Sequence, residues 1–270
     1  ETCSFFNNQL NGISYANNTF VAVGQNGKII KSTNNASSWQ VSTSSTSTQL
    51  NGVTFGSSTF DVVGGSGYTF YSTNNGSTWS SSRTPHHGSW PYYYRSLYGV
   101  SFGNSTFVAV GDYGKIVRST DNGANWSNVT TGTSPYLYGS NHLRGVSFGN
   151  NTFVGVGYTG KIIRSTNDGA SWDNVTAVNS NALWGVTFGN GTFVAVGSSG
   201  TIVKSTNNGS TWSSSSSGTS NHLYGITFGN NTFMAVGQSG RIVKSTDNGS
   251  SWNSSTSGTS NHLYGVAFGD

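Results

Sequence analysis

With one cysteine in 270 residues, the chain cannot build an internal disulfide or a paired-thiol zinc site. Cys3 is left as a free thiol or as half of a bridge to another chain. Charge is equally scarce. Only 7% of residues are Asp, Glu, Lys or Arg, and the net charge of +4 is not gathered into a basic run, which argues against nucleic acid as a partner. No stretch approaches the ~18 consecutive apolar residues of a membrane span, and no 3.6-residue apolar period marks an amphipathic helix. The chain opens Glu1-Thr2-Cys3 rather than with Met and shows no signal peptide, which is expected of a mature, processed form or of an expressed piece. Scarce charge with abundant Ser, Thr, Asn and Gly favours a secreted or cell-surface protein.

Aromatic residues are plentiful at 13%, which separates the chain from disordered polar sequences. They recur with a pattern. STNNGSTW stands at Ser72–Trp79 and again at Ser205–Trp212, with variants at Ser32–Trp39, Ser119–Trp126, Ser165–Trp172 and Ser245–Trp252. A Gly-initiated apolar run (GISY, GVTF, GVSF, GITF or GVAF) begins at Gly12, Gly52, Gly99, Gly145, Gly185, Gly225 and Gly265. In the unit beginning at Leu183, GVTF, TFVAVG and TIVKST have strand composition, and Gly-Asn, Ser-Ser-Gly and Asn-Asn-Gly punctuate them as tight turns. A fourth, more polar strand is expected from Ser210 through Trp212 into the following serines. Four antiparallel strands in about 40 residues predict an all-β propeller blade.

The expected organisation is one propeller domain over 1–270, with repeats 10–49, 50–96, 97–142, 143–182, 183–222 and 223–262. Residues 263–270 start a seventh repeat. Six blades is the preferred count and seven the alternative. In a ring of six, the spare strand supplements the closure, continues into a further segment or adds to another subunit's sheet edge.

The octapeptide resembles the Asp-box, or BNR, repeat, Ser-x-Asp-x-Gly-x-x-Trp. The resemblance covers nearly the whole chain and is nearest to bacterial BNR/YVTN-type repeat proteins; photosystem II assembly-factor-like proteins and sialidases share such propellers. The box position is Asp at Asp121 and Asp247 and Asn at Asn34, Asn74, Asn167 and Asn207. Either side chain accepts backbone hydrogen bonds round a turn, so a structural role survives the exchange. Trp39, Trp79, Trp126, Trp172, Trp212 and Trp252 are expected between blades. In the first copy Ala36 replaces the box glycine, which predicts a less ideal turn.

The resemblance to sialidases implies an arginine triad, a Tyr–Glu nucleophile pair and an acidic Asp. The sole glutamate is Glu1, and Asp61 and Asp112 lie at non-equivalent repeat positions. A pair of facing carboxylates, as glycosidases require, is not expected, and the chain reads as a non-enzyme without cofactor or metal. His86, His87, His142, His222 and His262 read as surface residues rather than metal ligands.

Binding is expected in the connections between blades. Asn141, His142, Trp184, Asn221, His222, Tyr224, Asn261, His262 and Tyr264 combine hydrogen-bonding groups with flat apolar faces, a combination suited to sugars. Packing between blades is the competing reading for these rings. The two longer repeats carry Trp90, Tyr92, Tyr93, Tyr94, Arg95, Tyr136 and Tyr138, a composition typical of interfaces. Lysines and arginines flanking each third strand are expected to protect exposed edges. Asn17, Asn104, Asn150, Asn190 and Asn230 are candidate glycosylation sites in first-to-second-strand turns. The expected function is multivalent, lectin-like binding of glycans or a surface polymer. The alternative is a structural or adhesive protein that forms homo-oligomers or filaments through the insertion loops, the terminal strand or Cys3.

Overall fold

In the repeat beginning at Leu183, the β-branched and aromatic runs form strands Leu183–Gly189, Thr192–Gly197, Ile202–Ser205 and Ser213–Ser215. The structure, a computed structural model, describes residues 9–42, 44–85, 95–129 and 142–269. Asn190 and Gly191 join the first two strands with φ of 46° and 73°, the paired left-handed conformation of a tight hairpin. Six such four-stranded sheets form, each antiparallel and in the order first, second, third, fourth. They stand in a ring as a six-blade β-propeller. The first strands, innermost, are Leu10–Ala16, Leu50–Gly56, Leu97–Gly103, Leu143–Gly149, Leu183–Gly189 and Leu223–Gly229.

The core lies between blades. Along each second strand alternate side chains face opposite neighbours, so Val194 and Val196 of the fifth blade bury against Leu223, Phe233 and Trp252 of the sixth. At the axis the inner strands approach so closely that only glycine fits. A Cβ on Gly99 would lie 2.9 Å from the Arg144 carbonyl oxygen and 3.1 Å from the Gly145 Cα. The same contact runs from Gly12 to Gly52 and on round the ring. It passes from Gly225 to Gly265; between Gly265 and Gly12 it relaxes to ordinary contact, a Cβ on Gly265 lying 3.4 Å from the Ile13 Cγ2 and 3.7 Å from the Gly12 Cα. Residues 263–269, the start of the seventh repeat, therefore stand between the sixth and first blades.

The octapeptide builds the turn between third and fourth strands. Ser205 Oγ donates to Asn207 Oδ1 at 2.9 Å, Gly209 N donates to Ser205 Oγ at 2.9 Å, and Thr211 N donates to Asn207 Oδ1 at 3.0 Å. Trp212 Nε1 closes the turn on the Gly209 carbonyl. These bonds hold the chain through Trp212, so the fourth strand starts at Ser213 rather than at Ser210 as the sequence suggests. Where the acceptor is Asp247, hydrogen bonds from Ser251 and Ser245 hold its carboxyl below the usual range. In the first copy Ala36 sits at φ 61°, the strained conformation expected from its missing glycine. Of the box indoles, Trp126, Trp172 and Trp252 are buried and Trp39, Trp79 and Trp212 half-buried. Ser205→Ala leaves the buried Gly209 N–H without its acceptor, and a loss of about 1–3 kcal/mol is expected. Asn207→Asp keeps the acceptor and is expected to be nearly neutral. Urea unfolding of the two variants checks this.

The basic residues do not protect edges. The third strand is interior to each sheet, and its cations tie one blade to the next. Lys31 Nζ donates to Ser77 Oγ at 2.8 Å, Lys204 Nζ to Ser250 Oγ at 2.7 Å, and Arg164 Nε to the Asn208 carbonyl at 2.7 Å. Lys115 is buried and donates to the Pro85 carbonyl at 2.6 Å; burial pushes its ammonium down to about 8. The sequon residues Asn17, Asn104, Asn150, Asn190 and Asn230 occupy the first-to-second-strand turns and are exposed.

Candidate binding site at the channel mouth

Every inner strand carries a bulge at the same place. In the fifth blade Leu183 pairs with Gly197 and Gly185 with Val196, so Trp184 has no partner in the ladder. A bulge frees a side chain from the sheet and re-aims it. Equivalent shifts free Asn11, Asn51, Tyr98, Arg144 and Tyr224. The glycine that follows each of them lines an axial channel of about 160 Å³ with its neighbouring Val or Ile. The bulged residues therefore ring one mouth of that channel.

In the first two blades this position is spent on packing. Asn11 Nδ2 donates to the Leu50 carbonyl at 2.8 Å, and Asn51 Nδ2 to the Leu97 carbonyl at 2.7 Å. From the third blade onward the same column supplies flat groups in two clusters, Tyr98 with Arg144, and Trp184 with Tyr224 and the equivalent Tyr264. Arg144 lies over Tyr98, its guanidinium carbon 3.9 Å from the ring centroid. Trp184 and Tyr224 stand 5.2 Å apart, and Tyr224 and Tyr264 5.0 Å apart and stacked. All five groups are half-buried. Burial, and then Tyr264, raises the Tyr224 phenol above its usual value.

The histidines frame the arc. Ser199 N donates to His222 Nδ1 at 3.0 Å and Ser239 N to His262 Nδ1 at 3.1 Å. Nδ1 of each ring is thus spent as an acceptor within the fold. Trp184 lies edge-on to His222 at 5.2 Å. Asn221 is committed to the fold, its Nδ2 donating to the Gln238 carbonyl at 3.1 Å. Asn261 and His262 are exposed.

Between the third and fourth blades the arc meets a denser polar node, of which sequence reasoning named His142 for binding but not Tyr98, Asp112 or Arg144. The Asp112 carboxylate accepts from the Tyr98 hydroxyl at 2.8 Å, from Ser96 N at 3.2 Å and from His142 Nδ1 at 2.8 Å. Burial, with the Asp112 hydrogen bond second, pushes the Tyr98 phenol up to about 12. Arg144 also donates to the Tyr158 hydroxyl. Tyr113 packs 4.9 Å from His142 and lies beneath Arg95, whose Nη1 donates to the Tyr113 carbonyl at 3.3 Å. The described flanks of both insertions, Arg95 and His142, thus meet at this mouth. Of the other residues expected here, Trp90, Tyr92, Tyr93, Tyr94, Tyr136, Tyr138 and Asn141 lie outside the described residues, as do Cys3, His86 and His87.

Asp61 and Asp112 do not meet. Asp112 is at the mouth, whereas Asp61 is sealed between the second and third blades against Gly123. Among the described residues no three His, Cys, Asp or Glu side chains gather as metal ligands, and no helix is long and apolar enough to cross a membrane.

Fold and mouth define a β-propeller with an aromatic, cation-bearing arc at one end of its channel. No known family profile and no curated protein matches the chain. Among solved structures it is similar to YCF48 bound to D1 peptide, with a TM-score of 0.68 and 18% identity over 92% of this chain and 80% of that one. It is also similar to YCF48 from Cyanidioschyzon merolae, with a TM-score of 0.72 and 15% identity over 95% and 88% of the two chains. The computationally designed Ika8 protein matches at a TM-score of 0.68 and 12% identity, covering 97% of this chain and 79% of that one. At such identities the likeness is one of fold.

Proposed function

We propose that this chain is a non-catalytic, extracellular binding module that takes a glycan at the channel mouth. The observation that carries the reading is the arc from Tyr98 through Arg144, Trp184 and Tyr224 to Tyr264. Sugars present C–H faces to aromatic rings and hydroxyls to polar groups, and the arc offers both kinds of contact side by side. Trp184, Tyr224 and Tyr264 stand 5.0–5.2 Å apart from one repeat to the next. An extended glycan would therefore engage several repeats at once, and affinity would grow with their number. The Asp-box reading of the turns fits a rigid scaffold of this kind, since every box acceptor is spent on its own hairpin.

A second reading is a peptide ligand. The fold's likeness to YCF48 bound to a peptide favours it, and the Tyr hydroxyls and Arg144 suit a peptide backbone as well as they suit sugar hydroxyls. A glycan array probed with the purified chain, with free sugar as competitor, separates the two. Saturable, competable binding that falls at least tenfold (~1.4 kcal/mol) in the Trp184→Ala, Tyr224→Ala double variant is expected, with little change in Tm because both side chains are half-exposed. A blank array beside saturable binding to a peptide library transfers the site to peptides.

A further inference from the structure

Among the described residues the polar node at the mouth carries two guanidinium groups, Arg95 and Arg144, and one carboxylate. The carboxylate is Asp112, whose oxygens already accept from the Tyr98 hydroxyl, Ser96 N and His142 Nδ1. The other described acids lie elsewhere. Asp61 is sealed between blades. The inner strands run from the mouth to the first-to-second-strand turns, and the box turns of Asp121, Asp168 and Asp247 sit at that far end, where Asn104 donates to Asp168 at 2.9 Å. Asp173 opens the outer strand that follows such a turn. The inserted segments 86–94 and 130–141 contain no Asp or Glu.

Neither arginine has an acidic partner. Among the described residues the single contact between a basic and an acidic side chain joins His142 to Asp112. Arg95 donates to the Tyr113 carbonyl and rests on the Tyr113 ring. Arg144 is held more tightly. Its guanidinium carbon stands 3.9 Å from the Tyr98 centroid and 4.6 Å from that of Tyr158. Its one hydrogen bond to a described residue runs from Nη2 to the Tyr158 hydroxyl, and Nε is buried without a partner. A fixed, half-buried guanidinium with most of its donors unmet favours an anionic acceptor, and its planar fork matches a carboxylate or sulfate better than a neutral hydroxyl. The stacking face begins in the adjoining blade. A Cβ on Gly145, next to Arg144, would lie 2.9 Å from the Trp184 carbonyl oxygen.

We infer that the ligand of this mouth is an acidic glycan, whose carboxylate or sulfate group seats on Arg144 while a neighbouring sugar ring stacks on Trp184 and Tyr224. The inference rests on the glycan reading above and narrows it to one chemical class. Charge complementarity selects that class, because the mouth offers two unpaired cations against one carboxylate that is already hydrogen-bonded. Two such cations suit a chain of repeated acidic residues, such as a polyuronate, better than a single terminal acid.

The test measures the affinity of the purified protein for matched pairs that differ only in charge: oligogalacturonate and its methyl ester, and a carrageenan oligosaccharide and its desulfated form. The acidic member is expected to bind at least about tenfold more tightly at low salt. Preference in the first pair identifies a carboxylate ligand, and preference in the second a sulfate. The preference should shrink as NaCl is raised, since salt screens exposed charges; this series needs no variant. Arg144→Gln is expected to bring the acidic-to-neutral ratio close to one, and Arg144→Lys to keep part of it, with Tm read for both. Equal affinity within both pairs, or a protein that binds neutral glycans and neither acidic one, overturns the inference and leaves glycan binding in place. A preference undiminished in a folded Arg144→Gln variant overturns the role of Arg144. Binding to no glycan of either kind overturns both readings.

Discussion

Asp61→Val is expected to stabilise the protein, by about 2–4 kcal/mol at neutral pH. Asp61 lies third in its second strand, where the other blades have Val21, Val108, Val154, Val194 and Met234. Its side chain points into the interface with the third blade and is 0% exposed, and neither carboxylate oxygen has a hydrogen-bond partner. A Cβ on Gly123 would lie 1.9 Å from Oδ2, so the carboxyl fills the space that a valine methyl fills elsewhere. Burial alone pushes the Asp61 carboxyl well above the usual carboxylate range. The sign of the pH dependence follows. Above the unfolded value of about 4 the unfolded chain releases this proton while the folded chain retains it. Asp61 is therefore least harmful below pH ~4, and stability falls as pH rises from there through its elevated folded value. Denaturant unfolding across a pH series should show this decline in the parent and a flatter profile in Asp61→Val. A variant less stable than the parent at neutral pH would contradict the account.

Gly197→Val is expected to be the most damaging single change, at more than about 3 kcal/mol. A Cβ on Gly197 would lie 1.9 Å from the Ala182 carbonyl oxygen and 2.9 Å from the Leu183 Cα. Both are backbone atoms at the start of the inner strand, and Gly197 N itself donates to the Thr201 carbonyl at 2.9 Å. Relief would require opening the bulge that frees Trp184. The control is Gly218→Asn. Gly218 has φ 69° and open space around its Cβ direction, and Asn tolerates the left-handed conformation. Asn at 218 is expected to lose less than 1 kcal/mol. Expression as soluble protein and urea midpoints rank the two; equal losses would mean that close approach at Gly197 does not govern this position.

Much of this architecture is legible in the sequence because the repeat states it six times. Strand composition, the Asn-Gly hairpins and the octapeptide each fix one local geometry, and their order admits a four-stranded blade. The destination of the leftover strand was less legible, since no local signal says whether 263–269 stands in the ring or outside it. The site was half legible. Trp184, Tyr224, Tyr264 and His222 share repeat positions and meet in the structure. Tyr98 and Arg144 occupy the same column, between Leu and Gly, as Trp184 and Tyr224, so reading down that column would have found them. Asp112 and Tyr158 come from turns whose sequences do not repeat, and nothing local shows that they reach Tyr98 and Arg144. Asp61 alternates in register with Val63, which is enough to place it on a buried face. That it has no partner there depends on the third blade.

The most direct test of the central claim is the equilibrium titration of the chain with its strongest-binding array glycan, read for both stoichiometry and location. One site spread over the Tyr98–Arg144 and Trp184–Tyr224–Tyr264 clusters predicts one extended glycan per chain, with binding lost in the Trp184→Ala, Tyr224→Ala double variant and weakened in Arg144→Ala. Unchanged affinity in the double variant, or several equal and independent sites per chain, would contradict it.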